Sequence, residues 1–207
     1  MKIIGITGSV GSGKSMVSNI LVQKNYRVYD YEEISKQIIQ YKQSQMFHLF
    51  GEKIIEDGEI NRHKLRKLIM SNRSARLKFH KIIHPEICKY FFREIFKCFL
   101  LNEPVVFIVV PMFFELNLQR YFDSILVYCD DRSLKNRVAR NDLLELENLT
   151  KKMQIPIEKK MKMATWVVNN TNSILDTEII IDSIDFGGTE LMIFVLLFIF
   201  TLLLLHI

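Results

Sequence analysis

The sequence lacks the features typical of secreted, disulfide-rich and nucleic-acid-binding proteins. Its three cysteines, Cys88, Cys98 and Cys129, have no metal-ligand spacing and are too few for a disulfide framework, which favours a reducing cytoplasm. The N-terminus runs directly into an apolar stretch without a cleavage site, so no signal peptide is predicted. With 28 basic and 23 acidic residues the net charge is only +5, and no basic stretch with interleaved aromatic residues indicates a nucleic-acid partner.

Internal repeats and low-complexity linkers are also missing. The 207 residues suit one α/β domain with a small helical insert, and with 49% hydrophobic residues the chain can bury a full core. The mild basic excess suits an anionic nucleotide substrate as well as it suits nucleic acid.

The N-terminal residues alternate between strand and helix patterns. The apolar run Lys2–Thr7 predicts a strand, residues 8–13 form a glycine-rich loop, and residues 14–24 predict an amphipathic helix. Arg27–Asp30 then predicts a second strand that ends on an acid. A strand–helix–strand unit of this kind implies a parallel sheet.

The rest of the chain continues this alternation, as expected for an α/β domain. Residues 33–101 are mostly helical in pattern, with punctuation at Asp57-Gly58 and at His84-Pro85, where a helix is predicted to begin. The remaining predicted elements are strands over 105–110, 124–129 and 166–169, charged helices over 132–163 with a break near Pro156, and a short amphipathic segment over 174–184.

The glycine-rich loop fits the phosphate-binding pattern G-x-x-x-x-G-K-[ST] at every fixed position, from Gly8 to Ser15. Its glycines let the backbone wrap a phosphate, and the N–H groups at the helix start point at the anion. We therefore predict a nucleotide site that includes Gly11, Ser12, Gly13, Lys14, Ser15 and Met16. In this site Lys14 reaches the β- and γ-phosphates of ATP and the Ser15 hydroxyl ligates Mg²⁺. The loop alone does not choose between a kinase, a GTPase and an ATPase.

Six further stretches, in the same order along the chain, resemble the dephospho-coenzyme A kinase family over about residues 2–180. The matching stretches are Val28-Tyr29-Asp30-Tyr31-Glu32; Phe50-Gly51 and Asp57-Gly58 with Arg62 and Leu65; His84-Pro85; Pro111 with Glu115; Arg140; and Gln154, Pro156, Lys160, Ala164 and Asn170. The resemblance implies a P-loop NTPase three-layer fold with a parallel sheet, a helical acceptor-binding insert and a lid. The apolar composition of the C-terminus adds a predicted apolar C-terminal helix, which lies beyond the resemblance.

The chain departs from the family pattern at a few positions. Glu32 stands where the family has a second aspartate, and Thr165 stands where it has an aspartate before the last strand. Asn136 replaces an arginine four residues before Arg140, although Arg137 is its neighbour. The lid is also one residue shorter, so the resemblance indicates a divergent member.

The resemblance implies that ATP, with Mg²⁺, phosphorylates the ribose 3′-hydroxyl of dephospho-coenzyme A. Lys14, Asp30, Glu32 and Arg140 are then the predicted catalytic residues. One of the two acids accepts the hydroxyl proton or orients the hydroxyl, and the second acid, Glu32, is the better candidate. Asp30 has the alternative role of capping the next helix. Arg140 reaches the ATP phosphates from the lid, or is a solvated helix arginine.

Four further residues have roles implied by the resemblance. His84 and Lys160 are the predicted substrate contacts, with a structural role for His84 as the alternative. Asn170 corresponds to a position on the adenine side of the nucleotide. Glu115 is either structural or an acid beside Mg²⁺.

The predicted organisation is a kinase domain over residues 1–186, with an acceptor-binding part at 36–100 and a lid at 140–160, followed by a tail at 187–207. Residues 191–207 are mainly apolar, with no formal charge beyond a possible His206. Their length is near the shortest that spans a bilayer, roughly 17 residues. The tail is a membrane anchor, a helix at an oligomer interface, or an altered C-terminus. The expected location is the cytoplasm, with attachment to a membrane through this tail as an option.

Two alternative functions stay open at this stage. Another nucleoside or nucleotide kinase would share the loop and the lid. A membrane-held protein that binds ATP without turnover would explain the departures at Glu32 and Asn136.

Overall fold

The chain is seen in a computed structural model that describes residues 1–56, 58–140 and 154–187, without the side chains of residues 139 and 140. These residues form two units. The core unit contains residues 1–31, 98–140 and 154–187, and the helical unit contains residues 32–56 and 58–97. Asp57, most of the predicted lid and the apolar tail lie outside the described residues.

The described strands form two sheets. The strands are β1 (Lys2–Thr7), β2 (Arg27–Asp30), β3 (Ile55–Glu56), β4 (Glu59–Ile60), β5 (Val105–Val109), β6 (Asp123–Tyr128) and β7 (Trp166–Asn169). Five of them make a parallel sheet in the core unit with the order β2-β5-β1-β6-β7. This confirms the predicted parallel sheet and places β1, which leads into the glycine-rich loop, at its centre. β3 and β4 form a separate antiparallel hairpin in the helical unit, which the sequence analysis did not predict.

The described helices are α1 (Lys14–Gln23), α2 (Tyr31–Tyr41), α3 (Gln43–Phe50), α4 (Arg62–Ser71), α5 (Arg73–Leu100), α6 (Asp131–Arg140), α7 (Ile157–Met163) and α8 (Ile174–Asp182). α1 buries Val17, Ile20 and Leu21, which lie at i, i+3 and i+4 and therefore share one face of the helix. α8 begins with a capping box in which Ser173 and Asp176 exchange hydrogen bonds, so its first turn is fixed by its own sequence.

The core unit has three layers because successive strand residues face opposite sides of the sheet. On one side, Ile125 and Val127 of β6 pack in the same buried cluster as the apolar face of α1 and Ile181 of α8. On the other side, Leu126 packs with Phe113 and Phe114, and the residues against them include Ile157, Met161 and Met163 of α7. The predicted three-layer α/β fold is therefore confirmed.

The end of the described chain is anchored in the core unit. Phe186 is buried and packs edge-on against Phe107, Tyr26 and Trp166, with ring centroids 5.0, 5.7 and 5.7 Å away. Residues 191–207 follow outside the described part, so the predictions for the tail are not tested. Within residues 1–56, 58–140 and 154–187, no helix is both long enough and apolar enough to span a bilayer.

One predicted helix boundary differs from the structure. α5 runs without interruption from Arg73 to Leu100 and contains Pro85, so the prediction that a helix begins at His84-Pro85 is wrong. Proline lacks an N–H and is expected to break a helix interior. Here the apolar residues Phe79, Ile83, Ile87 and Phe91 are buried at helical spacing on both sides of it, and this packing outweighs the local preference.

Candidate functional site

Residues 8–13 connect β1 to α1 in the core unit. Because β1 is the central strand of a parallel sheet, this loop lies at the carboxyl edge of the sheet, where α/β proteins bind ligands. The local sequence explains the path: the strand ends at Thr7, and the helix starts immediately after Gly13, which has a left-handed backbone with φ of 98°. Only glycine adopts this conformation at low cost.

The start of α1 has properties that fit an anion. No side chain of the described residues caps its N-terminus, and its first turn contains no acidic residue, so neither a capping oxygen nor a carboxylate competes for the exposed N–H groups. In addition, the hydroxyl of Ser12 is buried without a hydrogen-bond partner in the described structure. A phosphate oxygen would satisfy both kinds of donor, so the residues present fit a nucleotide phosphate.

Lys14 lies folded over the loop that precedes it. Its ammonium Nζ donates hydrogen bonds to the carbonyl oxygens of Gly8, at 3.0 Å, and Ser9, at 2.9 Å. The positive charge is therefore already held beside the loop, at the place where the motif requires it to meet phosphates. The contact orders the lysine before any ligand binds.

Two loop glycines are required by close packing. A Cβ atom on Gly8 would lie 2.2 Å from the carbonyl oxygen of Val127 in β6, and a Cβ atom on Gly13 would lie 1.8 Å from Nδ2 of Asn170. Neither distance is sterically possible, so any side chain at these positions would displace the loop from β6 or from the residue that follows β7.

The two predicted acids belong to different units. Asp30 is the last residue of β2 and pairs with Val109 of β5, which in turn pairs with Ile6 of β1. This register places Asp30 at the same sheet edge as the loop, two strands away, which is about 10 Å at the usual strand spacing. Glu32 lies in the first turn of α2, within the helical unit. The proton-accepting role of either acid stays a prediction.

Ser15 and Met16 occupy the first turn of α1. Ser15 is exposed, so its hydroxyl is accessible to a metal ion bound to phosphates. Within the described residues no cluster of three or more His, Cys, Asp or Glu side chains is suited to hold a metal. The ion predicted at this position, Mg²⁺, commonly takes only one or two protein ligands beside phosphates and water. Met16 packs against the core cluster, and its N–H donates to the Gly13 carbonyl.

Asn170 is buried directly behind the loop, with 1% of its surface exposed. Its Nδ2 donates to the carbonyl of Ser12 at 2.9 Å, and its Oδ1 accepts from the hydroxyl of Thr177 at 3.1 Å. Arg137 of α6 joins the same group: its NH2 donates to the Asn170 carbonyl at 2.9 Å and its NH1 approaches the Ser12 carbonyl at 3.5 Å. The amide of Asn170 thus contacts the loop backbone, and its predicted place beside the adenine stays a prediction.

Lys160 lies inside the core unit, with 1% of its side chain exposed. Its Nζ is 2.8 Å from Oε1 of Glu115, which also accepts a hydrogen bond from the Ile155 N–H at 2.9 Å. The approach of Lys160 lacks the direction of a hydrogen bond, so the contact is an ion pair. Lys160 therefore faces Glu115 rather than an open surface in this structure, which favours a structural role for Glu115. Substrate contact by Lys160 stays a prediction.

The two other predicted contacts lie on helices. His84 is half-buried in α5, where its Nδ1 is 3.5 Å from the sulfur of Cys88. Burial raises the pKa of the Cys88 thiol to about 11, so this sulfur carries a proton at neutral pH. Arg140 is the last residue of α6, and its side chain is outside the described structure. The contacts of both residues with substrates stay predictions.

The sequence analysis missed the roles of Arg137 and Thr177. Arg137 was visible as the arginine next to the departure at Asn136, but no local pattern indicates that it meets Ser12, which is 125 residues away. Thr177 follows the capping box at Ser173, so its helix was recognisable from the sequence and its partner was not. Contacts between residues so far apart in the sequence can be predicted only when the order of the strands in the sheet is known.

A sequence model of the dephospho-CoA kinase family matches residues 2–176. A dephospho-CoA kinase from Fusobacterium nucleatum is 34% identical over 180 residues, which is 84% of this chain and 92% of that protein. One from Listeria innocua is 33% identical over 184 residues, covering 86% of this chain and 92% of that protein.

Two solved structures are also similar to this chain along most of its length. A Thermus thermophilus structure superimposes with a TM-score of 0.74 at 29% identity, covering 89% of this chain and 98% of that chain. A dephospho-CoA kinase from Campylobacter jejuni has a TM-score of 0.59 at 26% identity, covering 87% of this chain and 94% of that chain.

Proposed function

The chain belongs to the dephospho-CoA kinase family, and from that premise we propose how its residues transfer the γ-phosphoryl group of ATP to the ribose 3′-hydroxyl of dephospho-coenzyme A. This transfer is the last step of coenzyme A biosynthesis. The observation that supports the proposal most directly is the uncapped start of α1, with Lys14 held on the loop carbonyls beside it.

The loop binds the phosphates through its backbone N–H groups, and the buried hydroxyl of Ser12 gains the partner it otherwise lacks. Lys14 exchanges the carbonyls of Gly8 and Ser9 for phosphate oxygens. The exchange is favourable because a charge-assisted contact with an anion is stronger than a contact with a neutral carbonyl. Mg²⁺, held by the Ser15 hydroxyl, would supply further positive charge beside the transferred group.

The reaction needs a base at the acceptor hydroxyl and positive charge beside the ATP phosphates. The hydroxyl oxygen bonds to the γ-phosphorus as the bond from phosphorus to the β–γ bridging oxygen breaks, and ADP leaves. We assign the released proton to the carboxylate of Glu32 or Asp30, and a contact with the ATP phosphates to Arg140. In such a step the protein contributes mainly position and charge.

The helical unit contains a groove of about 530 Å³ that suits part of the acceptor. Its lining residues come from α2 and α5 and are Gln37, Ile38, Tyr41, Glu86, Lys89, Tyr90 and Arg93. Tyr41 is 82% exposed, and the guanidinium of Arg93 lies 5.4 Å from the centre of the Tyr90 ring.

The groove is lined by more basic than acidic side chains. Lys42 pairs with Glu86 at 3.2 Å and holds the pKa of that carboxyl below its ordinary value, so the acid is compensated. Lys89 and Arg93 are exposed, although Lys89 also lies 3.5 Å from Glu86 and Arg93 lies 2.9 Å from Glu94. The acceptor carries a diphosphate and an adenine ring, which cations and exposed tyrosines bind well. We therefore assign the acceptor's diphosphate to this groove.

Kinetics of a double variant test the groove assignment. Replacing Lys89 and Arg93 by alanine should raise the KM for dephospho-CoA about tenfold, or ~1.4 kcal/mol, and leave the KM for ATP unchanged. Lys81→Ala is the matched control, because Lys81 is exposed on the same helix and does not line the groove. An unchanged KM for dephospho-CoA in the double variant would place the acceptor elsewhere.

The activity itself is tested by ADP release from Mg²⁺-ATP with a panel of acceptors. We expect release to be stimulated by dephospho-CoA and not by nucleoside monophosphates. Stimulation by a monophosphate instead would identify another nucleotide kinase. ATP binding without stimulation by any acceptor would identify a binding protein.

A further inference from the structure

The carbonyl of Ser12 in the phosphate loop is held by two side chains that are distant in the sequence, Asn170 and Arg137. Asn170, immediately after β7, donates to it from a buried position at 2.9 Å. Asn170 is itself fixed, because its backbone N–H donates to the Tyr128 carbonyl of β6 at 2.7 Å. The side chain therefore extends from a rigid part of the sheet onto the loop.

Thr177 supplies a hydrogen-bond partner for the other end of the Asn170 amide. Its hydroxyl donates to Oδ1 of Asn170 at 3.1 Å, and Thr177 is completely buried in α8. A rotated amide would place Oδ1 against the Ser12 carbonyl, where two acceptors repel. The Thr177 hydroxyl has one proton and also lies 3.2 Å from the Ser173 carbonyl, so the pairing with Ser12 is the main reason for the amide's orientation. The Thr177 hydroxyl thus supports the orientation in which the amide NH₂ faces the loop. The capping box of Ser173 and Asp176 fixes the helix turn from which Thr177 extends.

Arg137 adds a link from α6. Its NH2 donates to the Asn170 carbonyl at 2.9 Å, and its NH1 lies 3.5 Å from the Ser12 carbonyl. The start of α6 is attached close by, because the Asp130 N–H donates to the hydroxyl of Thr171 at 3.0 Å. The guanidinium is therefore placed on the same two carbonyl groups that define the back of the loop.

The direction of the Ser12 carbonyl determines the direction of the next N–H. The peptide between Ser12 and Gly13 is planar and trans, so its C=O and N–H point in opposite directions. A carbonyl held toward Asn170 leaves the Gly13 N–H facing away from it, toward the open side of the loop.

We infer that Arg137, Asn170 and Thr177 form a loop clamp, a set of positioning residues that holds the phosphate loop in its anion-binding conformation before ATP arrives. The inference rests on the proposed function, since it assigns the clamp to ATP binding by that same loop. Without the clamp, the Ser12 carbonyl is free to turn toward the phosphates and repel them. The clamp acts on ATP affinity through the loop, and its residues need no contact with the substrate.

A pair of variants at position 177 separates this role from packing. Thr177→Val keeps the shape and removes the hydroxyl, whereas Thr177→Ser keeps the hydroxyl. We expect Thr177→Val to raise the KM for ATP at least about fivefold, as for one buried acceptor left unpaired. Thr177→Ser should stay within about twofold of wild type, and neither variant should change the KM for dephospho-CoA. Equal KM values for ATP in Thr177→Val and wild type would overturn the inference, as would an equal rise in both variants.

Arg137→Met provides the same test if Thr177→Val does not fold. Arg137 is half-buried on α6, so its replacement should leave the unfolding midpoint near that of wild type while the KM for ATP rises. A wild-type KM for ATP in a folded Arg137→Met protein would remove Arg137 from the clamp. The activity of the wild-type protein distinguishes the proposed function from the clamp. Failure of the wild-type protein to phosphorylate dephospho-CoA would refute the proposed function. An active wild-type protein together with variants whose KM for ATP is unchanged would refute only the clamp.

Discussion

Replacing Glu115 by glutamine removes the only charge that the described structure places against the ammonium of Lys160. Both side chains are buried, with 1% of Lys160 and 8% of Glu115 exposed, and their charged atoms are 2.8 Å apart. Glutamine keeps an oxygen that can accept from the Ile155 N–H, so the change isolates the lost charge. A buried charge left without its partner typically costs about 3–5 kcal/mol of stability. For a chain of this size, that cost lowers the unfolding midpoint by about 6–20 °C.

Removing both charges should be much less damaging than removing one. The double variant Glu115→Gln with Lys160→Met replaces an ion pair by neutral groups of similar volume, which often costs little. Thermal unfolding of the two single variants and the double variant measures this difference. Lys159→Met is the control, because Lys159 is exposed on the same helix and should stay within about 0.5 kcal/mol of wild type.

Two results would refute the reasoning about this pair. The first is a shift below about 2 °C in both single variants, because it would mean that the ammonium finds water or another partner at little cost. The second is a double variant no more stable than the weaker single variant. The double variant also tests the predicted substrate contact: an unchanged KM for dephospho-CoA supports a structural role for Lys160, and a large rise supports substrate binding.

Three further predictions concern the tail, the acceptor base and the half-buried thiol of Cys88. Deleting residues 188–207, beyond the anchored Phe186, should leave kcat for dephospho-CoA within about twofold if the tail is an appendage, and a folded but inactive product would contradict this. Glu32→Asp should retain or raise kcat, because the family has aspartate there; a large loss would argue for a different base. Cys88, with a pKa of about 11, should react with iodoacetamide roughly tenfold faster per pH unit up to that value, and rapid alkylation that levels off near pH 8 would contradict its burial.

The parts of the fold that were predictable are those encoded by neighbouring residues. The alternation of apolar runs, glycines and amphipathic segments was sufficient for β1, the phosphate loop, α1 and β2, and the buried runs predicted β5 and β6. The hairpin of β3 and β4 was missed because each strand has only two residues, too few to show a period. The helix through Pro85 was misjudged because packing on both sides of the proline outweighs its local preference.

The site was predictable only where its residues follow one another in the sequence. Lys14 and Ser15 lie in one motif, and the structure places Lys14 on the loop. The clamp on Ser12 was not predictable, because Asn170 is 158 residues away and meets the loop only through the sheet order. Lys160 was predicted as a substrate contact, and its burial was not foreseen. Its burial depends on the ion pair with Glu115, which is distant in the sequence, and composition carries no information about that pairing.

Transfer of label from [γ-³²P]ATP is the measurement that tests the central claim most directly. With wild-type protein, Mg²⁺ and dephospho-CoA, we expect the label in coenzyme A, and no label on an acceptor whose ribose lacks the 3′-hydroxyl. Lys14→Ala should lower the rate by about 100-fold or more, as expected for a residue that stabilises charge in the transition state. Label in coenzyme A at a near-normal rate from Lys14→Ala, or label on the 3′-deoxy acceptor, would contradict the account.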